Sequence, residues 1–271
     1  MTTPSALLQV MMTAARKAGR RLARDFGEVA ELQVSKKGPG DFVSAADLKS
    51  EEILKEELAK GRPGYGFLGE EGGLDEGTDK THRWIVDPLD GTTNFLHAIP
   101  HFAINVALER ANLDGTSAGI MAALTYNPIS NEMFWAEKGK GAFLNAEKRL
   151  RVAARRKLDE SLIGTGIPFA GRPGHGVFLK ELHQLSQRVT GIRRYGSAAL
   201  DLAWVAAGRL DAYWERGLNP WDTAAGALIV AEAGGVITGA DGGEFSLDEG
   251  TVLAGNSEIH ALVLERLKAA A

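Results

Sequence analysis

Between Tyr65 and Ala136 the chain is cut into five short apolar segments, Tyr65 to Gly69, Trp84 to Val86, Phe102 to Leu108, Gly119 to Thr125 and Glu132 to Ala136, set off by Gly, Pro, Asn or charged residues. Segments this short that are rich in β-branched and aromatic residues predict strands, and a strand holds together only beside other strands. The middle of the chain is therefore read as sheet. Helical patterns flank it. From Leu7 to Phe26 the residues Leu7, Leu8, Met11, Ala15, Ala18, Leu22 and Phe26 recur at three- and four-residue steps, while Arg16, Arg20 and Arg24 share another face. A second helix is expected from Ser44 through Lys60, stopped by Gly61 and Pro63, with Asp47 in its first turn.

Beyond the sheet the pattern alternates: a strand at Ser161 to Gly164, helices over Val177 to Arg188 and Ser197 to Ala207, a strand at Ala212 to Glu215, and a helix from Thr223 to Ala233. Gly234 and Gly235 close that helix as a C-cap, Val236 to Thr238 is a further strand, and Ser257 to Lys268 is a last helix. There is no internal repeat or linker, so the 271 residues are read as one α/β unit of layered sheets and helices. Its halves divide near residues 1–145 and 146–271. No apolar run of about eighteen residues is present, and the N-terminus lacks the basic and apolar blocks of a secretion signal, so a cytoplasmic protein is expected. Without cysteine, thiolate nucleophiles and cysteine-held metals are excluded. A formal charge of -4 offers no global field for nucleic acid or an anionic bilayer.

Trp84-Ile85-Val86-Asp87-Pro88-Leu89-Asp90-Gly91-Thr92-Thr93-Asn94-Phe95 carries the chemistry: an apolar strand runs straight into two carboxylates and a glycine. Strand ends are where layered α/β proteins hold ligands. Pro88 favours an extended Asp87 and a turn that aims Asp87 and Asp90 at one point. A helical turn starting after Gly91 would offer the N–H groups of Gly91, Thr92 and Thr93 to a phosphate, and Thr92 a hydroxyl to a water. Asp-Pro and Asp-Gly are also ordinary turn dipeptides. However, Glu70 and Glu71 follow another short strand, and Asp222 opens the helix at Thr223. Each alone reads as a solvated loop acid or a helix cap. Gathered in one place, Glu70, Asp87, Asp90 and Asp222 would need cations, and oxygen-only ligands select a hard one such as Mg²⁺, with two ions about 4 Å apart able to activate water.

WIVDPLDGTTNF, with GEE upstream and PWDTAAGALIVAEAGG downstream, resembles the inositol monophosphatase family. The likeness runs from KKGPGDFVSAAD through GTGIPF and RRYGSAALDLAWVAAGRLDAYWE to the glycine-rich end. It implies a five-layer αβαβα sandwich, usually a homodimer, with two or three Mg²⁺ held by Glu70, Asp87, the Leu89 carbonyl, Asp90 and Asp222. It also implies that Glu70 and Thr92 activate water, that Gly91 and Thr92 bind phosphate, and that Asp90, Gly196, Ser197, Ala198, Glu215 and Asp222 meet the substrate. Lys36 and Asp47 match a further pair near the metal site, and Glu71 is a secondary candidate. The activity implied is lithium-sensitive hydrolysis of myo-inositol 1-phosphate. Relatives act on fructose 1,6-bisphosphate, histidinol phosphate, adenosine 3′,5′-bisphosphate or dinucleotide phosphates such as NADP, and some bacterial ones join ribosomal RNA transcription complexes.

Other signals are read as structural. His97 and His101 have zinc spacing but enclose Pro100, Gly139-Lys140-Gly141 sits where a hairpin turn is expected, and Gly242 to Phe245 reads as a turn. Arg149, Arg151, Arg155, Arg156 and Lys157 form a basic run that is either a solvated face or a surface for RNA or protein.

Overall fold

A computed structural model describes residues 3–28, 34–38, 41–112, 116–145 and 148–270. The first half carries α1 (Ala6–Gly27), β1 (Val34–Gly38), β2 (Asp41–Ser44), α2 (Ala45–Gly61), β3 (Tyr65–Gly69), β4 (Gly73–Asp75), β5 (Asp79–Asp90), α3 (Thr92–Leu96), β6 (Ala103–Ala111), β7 (Ser117–Asn127), β8 (Glu132–Glu137), β9 (Gly141–Leu144) and β10 (Lys148–Arg149). The second half carries β11 (Leu162–Thr165), α4 (His175–Ser186), β12 (Gly191–Arg193), α5 (Ala198–Ala206), β13 (Ala212–Arg216), α6 (Pro220–Glu232), β14 (Val236–Thr238), β15 (Thr251–Gly255) and α7 (Ser257–Ala270).

An eight-stranded sheet runs in the order β10-β9-β8-β7-β6-β5-β3-β4, antiparallel except where β3 lies parallel to β5. A five-stranded sheet runs β12-β11-β13-β15-β14, and β1 pairs with β2 in a separate hairpin. Period-two alternation sorts the large sheet's side chains. Trp84, Val86, Ile104, Val106, Leu108, Leu124 and Trp135 pack with Leu8, Met11, Leu22, Leu54 and Leu58 of α1 and α2. Ile85, Ala103, Ala107, Ala123, Phe134 and Ala136 face the other way, against Leu202, Val205, Leu228 and Ile229 of α5 and α6. That second face is built largely of alanine, so helices can approach it closely. Tyr213, Val252 and Ala254 of the small sheet close the same cluster. Ala212, Trp214 and Leu253 point outward to Phe178 and Leu185 of α4 and Ile259, Val263 and Leu267 of α7. The five layers αβαβα follow directly: α1 and α2, large sheet, α5 and α6, small sheet, α4 and α7.

Helix ends follow their sequence signals. Ser44 caps α2 in a capping box with Asp47. At the end of α6, Gly234 (φ 82°) donates to Ala231 and Gly235 to Val230, the paired bonds of a Schellman motif. Gly139–Gly141 turns the β8–β9 hairpin, and the segment Gly242 to Phe245 is a turn without regular structure. Part of the basic run is engaged in ion pairs, Arg155 with Asp211 at 2.6 Å, Arg156 with Glu258 at 3.6 Å and Lys157 with Glu160 at 3.2 Å.

The outer helix α4 is tied to β13 by the buried Glu181, which accepts from Trp214 Nε1 at 3.1 Å and Arg216 Nε at 2.9 Å. Glu181→Ala leaves both donors without their acceptor and is expected to cost about 3 kcal/mol of stability in urea denaturation. A loss under about 0.5 kcal/mol, the usual range for surface changes, would contradict this role.

Candidate metal centre and active site

Asp87 and Asp90 are three residues apart, and in a regular strand they would point to opposite faces. The β5–β6 ladder instead pairs Asp87 with Asn105 and Asp90 with Ala103, so β5 spends one more residue than its partner over that step. This bulge reverses the alternation and lets both carboxylates reach one side. Pro88 sits inside it, where its missing N–H is tolerated. The Leu89 N–H donates to Asp87 Oδ1 at 2.9 Å, and Ser50 Oγ of α2 donates to the Pro88 carbonyl at 2.8 Å, so the bulge is held from both sides.

Asp222 arrives from α6. It is the third residue of a capping box in which its Oδ2 accepts from the Asn219 N–H at 2.6 Å, after Pro220 has set the helix start. Cap and candidate ligand are therefore one residue in two roles. Asn105, directly across the ladder from Asp87, donates from Nδ2 to the Trp221 carbonyl at 2.6 Å and accepts at Oδ1 from Thr125 at 2.7 Å. That buried amide docks the start of α6 on the large sheet. The result is a trio: oxygens of Asp87, Asp90 and Asp222 all lie within 4.8 Å of one another.

The trio opens into a cleft also lined by Glu70, Leu89, Gly91, Thr92, Thr93, Gly196, Ser197, Ala198 and Glu215. Glu70 is set by the loop after β3, which the buried Glu51 of α2 holds by accepting from the N–H groups of Glu71 at 2.9 Å and Gly72 at 2.7 Å. Glu71 contributes this backbone tie and is not among the lining residues. Asp47 accepts from Ser44 N at 2.8 Å through Oδ2 and from Thr92 Oγ1 at 3.0 Å through Oδ1, and Thr92 also stands 3.1 Å from the Leu89 carbonyl. Lys36 lies on β1, and its side chain is outside the described ones. Gly91 caps α3 at φ 94°, and a Cβ there would stand 3.1 Å from the His101 carbonyl, so conformation and space both call for glycine. Ser197, the N-cap of α5, donates to Asp90 Oδ2 at 2.5 Å, and Ala199 N–H reaches the same oxygen at 2.8 Å. Asn94 closes the floor by donating to the carbonyls of His101 at 2.8 Å and Tyr195 at 2.7 Å. His97 follows the end of α3, so the pair His97 and His101 never shares a helix face.

Electrostatics mark the same place. Burial, reinforced by the charges of Glu70, Asp90 and Asp222, pushes the Asp87 carboxyl well above the usual carboxylate range. Asp222 is raised in the same way, by burial and then by Asp90. Asp90 rises only to about 6, because Ser197 and Ala199 stabilise its charged form against burial. Glu215 rises to about 7 through burial, opposed by the hydroxyl of Tyr213, which donates to it. Oxygen-only, mutually repelling carboxylates at one spot fit a hard divalent cation and no soft one. Sequence reasoning missed Ser50, Glu51, Asn94, Asn105, Asp201 and Tyr213. Asp201 and Asn105 carried a local signal, a charge inside the apolar run of α5 and an amide inside the apolar strand β6.

Layers of this order define an α/β protein with a carboxylate-lined cleft, a candidate cation site, at the ends of its strands. The inositol monophosphatase family model matches residues 3–270, and the chain belongs to that family. It is similar to the inositol-1-monophosphatase of Caulobacter vibrioides, at 66% identity over 261 residues, 96% of this chain and 100% of that protein. The extragenic suppressor protein suhB of Bartonella henselae has the same fold in its crystal structure, with a TM-score of 0.92 and 53% identity over 97% of this chain and 99% of that one. The Nus factor SuhB of Escherichia coli K12 is 39% identical over 97% of this chain and 96% of its own.

Carboxyls raised in the fold bind protons more tightly than in the unfolded chain, where they titrate near 4, so their contribution to stability is present at low pH and is lost as pH rises. For Asp90 and Glu215 the loss spans pH about 4 to about 7. In EDTA the thermal midpoint is therefore expected to be lower at pH 8 than at pH 5, with Mg²⁺ restoring more at pH 8, where the ligands are deprotonated. A Mg²⁺ response of equal size at both values would contradict this.

Proposed function

We propose that the chain is a Mg²⁺-dependent phosphomonoesterase that hydrolyses a small phosphorylated polyol, first of all myo-inositol 1-phosphate. The observation that carries this reading is the convergence of Asp87, Asp90 and Asp222 beside the Gly91–Thr93 turn. The names and identities of the relatives support it.

In this reading Glu70, Asp87, the Leu89 carbonyl, Asp90 and Asp222 would hold Mg²⁺, which would supply neutralisation of phosphate charge and a lowered pKa for the attacking water. The N–H groups of Gly91 and Thr92 donate to phosphate oxygens at the positive end of a helical turn. Thr92, whose proton is directed to Asp47 or the Leu89 carbonyl, presents its oxygen lone pairs to orient the attacking water. Glu70 accepts that water's proton. The new P–O bond forms as the bond to the alcohol oxygen breaks, and that oxygen takes up a proton from a solvent water on leaving. No residue is phosphorylated. Gly196, Ser197, Ala198 and Glu215 face the alcohol portion, and Glu215 in particular recognises its hydroxyls. Lithium sensitivity, a homodimer, a cytoplasmic location and a single unit made of the halves 1–145 and 146–271 are carried over from the family resemblance and the chain's own pattern.

The identity with the Nus factors supports a second reading, a protein partner in transcription. Arg155, Arg156 and Lys157 are each engaged in an ion pair within the chain, and catalysis comes first because the carboxylate trio is assembled.

Phosphate release in Mg²⁺ across inositol 1-phosphate, fructose 1,6-bisphosphate, histidinol phosphate, adenosine 3′,5′-bisphosphate and NADP tests the substrate; preference for a nucleotide would overturn inositol phosphate. Asp90→Asn is expected to lower kcat by about a hundredfold or more while circular dichroism stays unchanged. Near-normal turnover would refute the assignment.

A further inference from the structure

Asp201 stands in the first turns of α5, facing the cleft behind Asp90 and Glu215. It is 1% exposed, and its Oδ1 is buried with no hydrogen-bond partner. An orphaned acid in a helix that otherwise reads Ala-Ala-Leu-Asp-Leu-Ala is costly, and a group of this kind beside a cleft calls for a functional explanation. Its neighbours narrow what that is. A Cβ on Gly164 of β11 would stand 3.8 Å from Asp201 Cγ and 3.1 Å from the Tyr213 ring, so the three residues meet at one point. Two residues on, a Cβ at Gly166 would overlap the Glu215 carboxylate, and Tyr213 donates its buried hydroxyl to that same carboxylate. Asp201, Tyr213 and Glu215 are thus neighbours beneath β11, on the cleft that also holds Asp90.

We propose that Asp201 is a specificity-determining residue that hydrogen-bonds a hydroxyl of the substrate's alcohol portion, alongside Glu215 held in place by Tyr213. The inference rests on the phosphomonoesterase reading and extends it to a residue outside the metal and phosphate contacts. Burial, with the charges of Glu215 and Asp90, also pushes the Asp201 carboxyl well above the ordinary range, against the opposing pull of Arg194. A neutral carboxyl has one donor and one acceptor face, the complement of an alcohol hydroxyl, and adds no further negative charge near a phosphate ester. A site that hydrogen-bonds a hydroxyl discriminates against molecules lacking it, because its buried polar group is then left unpaired.

The test compares kcat/KM for inositol 1-phosphate with that for p-nitrophenyl phosphate, whose leaving group has no further hydroxyl, in Mg²⁺-loaded protein. In Asp201→Ala the ratio of the two is expected to fall about tenfold, the effect of one lost hydrogen bond to a buried group. The thermal midpoint is expected to hold or rise, since an unpartnered carboxyl has been removed. Asp201→Asn, which keeps a donor and an acceptor, is expected to recover most of the ratio. A ratio within about twofold of the unaltered protein's, whether both activities persist or both fall together, overturns the proposal. Unaltered protein that hydrolyses p-nitrophenyl phosphate but not inositol 1-phosphate would instead overturn the choice of polyol, and this inference with it.

Discussion

Repulsion among closely spaced carboxylates, one buried and two half-buried, is the constraint around which the rest of the molecule is arranged. Asp87, Asp90 and Asp222 bring their oxygens within 4.8 Å of one another, with Glu70 on the same cleft, and burial weakens the solvent screening that would otherwise separate such charges. The fold opposes this with fixed dipoles. Asp90 accepts from the N-cap hydroxyl and an N–H in the first turn of α5, and Asp222 sits in the first turn of α6, so two helices aim their positive ends at the cluster. These contacts lessen the cost and do not abolish it, as the raised carboxyls show. The remainder is what a bound cation would relieve.

Geometry comes from packing far from the site. The alanine-rich inner face of the large sheet lets α5 and α6 lie close against it, and their N-termini emerge where β5 ends. One extra residue in β5 then turns two carboxylates from opposite faces to one. Buried polar side chains complete the placement: Asn105 ties α6 to the sheet, Glu51 ties the Glu70 loop to α2, and Asn94 ties α3 to the chain before Gly196. Each spans a long sequence separation to a backbone group, so each fixes a distance that local structure could not.

The sequence made some of this legible and hid the rest for physical reasons. Helices at Leu7, Ser44, Thr223 and Ser257 were readable because caps, glycines and amphipathic spacing are local signals. The strands β4, β10, β12 and β15 and the β1–β2 hairpin were not foreseen; β4, β10 and β12 have three residues or fewer, too few to show a period. The acids of the trio were legible from their positions at element ends and from the family resemblance. The bulge that unites two of them was not, because it appears only when β5 is laid against β6. Glu51 looked like one more charge in a polar helix, and Asn105 interrupted an apolar strand without naming its partner. Asp222 shows that the choice between cap and ligand was never exclusive, since one carboxylate has oxygens enough for both.

Crystals grown with Mn²⁺, a hard divalent ion with usable anomalous scattering, test most directly whether these carboxylates form one cation site. An anomalous peak is expected at coordination distance from oxygens of Asp87, Asp90 and Asp222. Absence of a peak there, with the three side chains turned to separate regions of solvent, would contradict it.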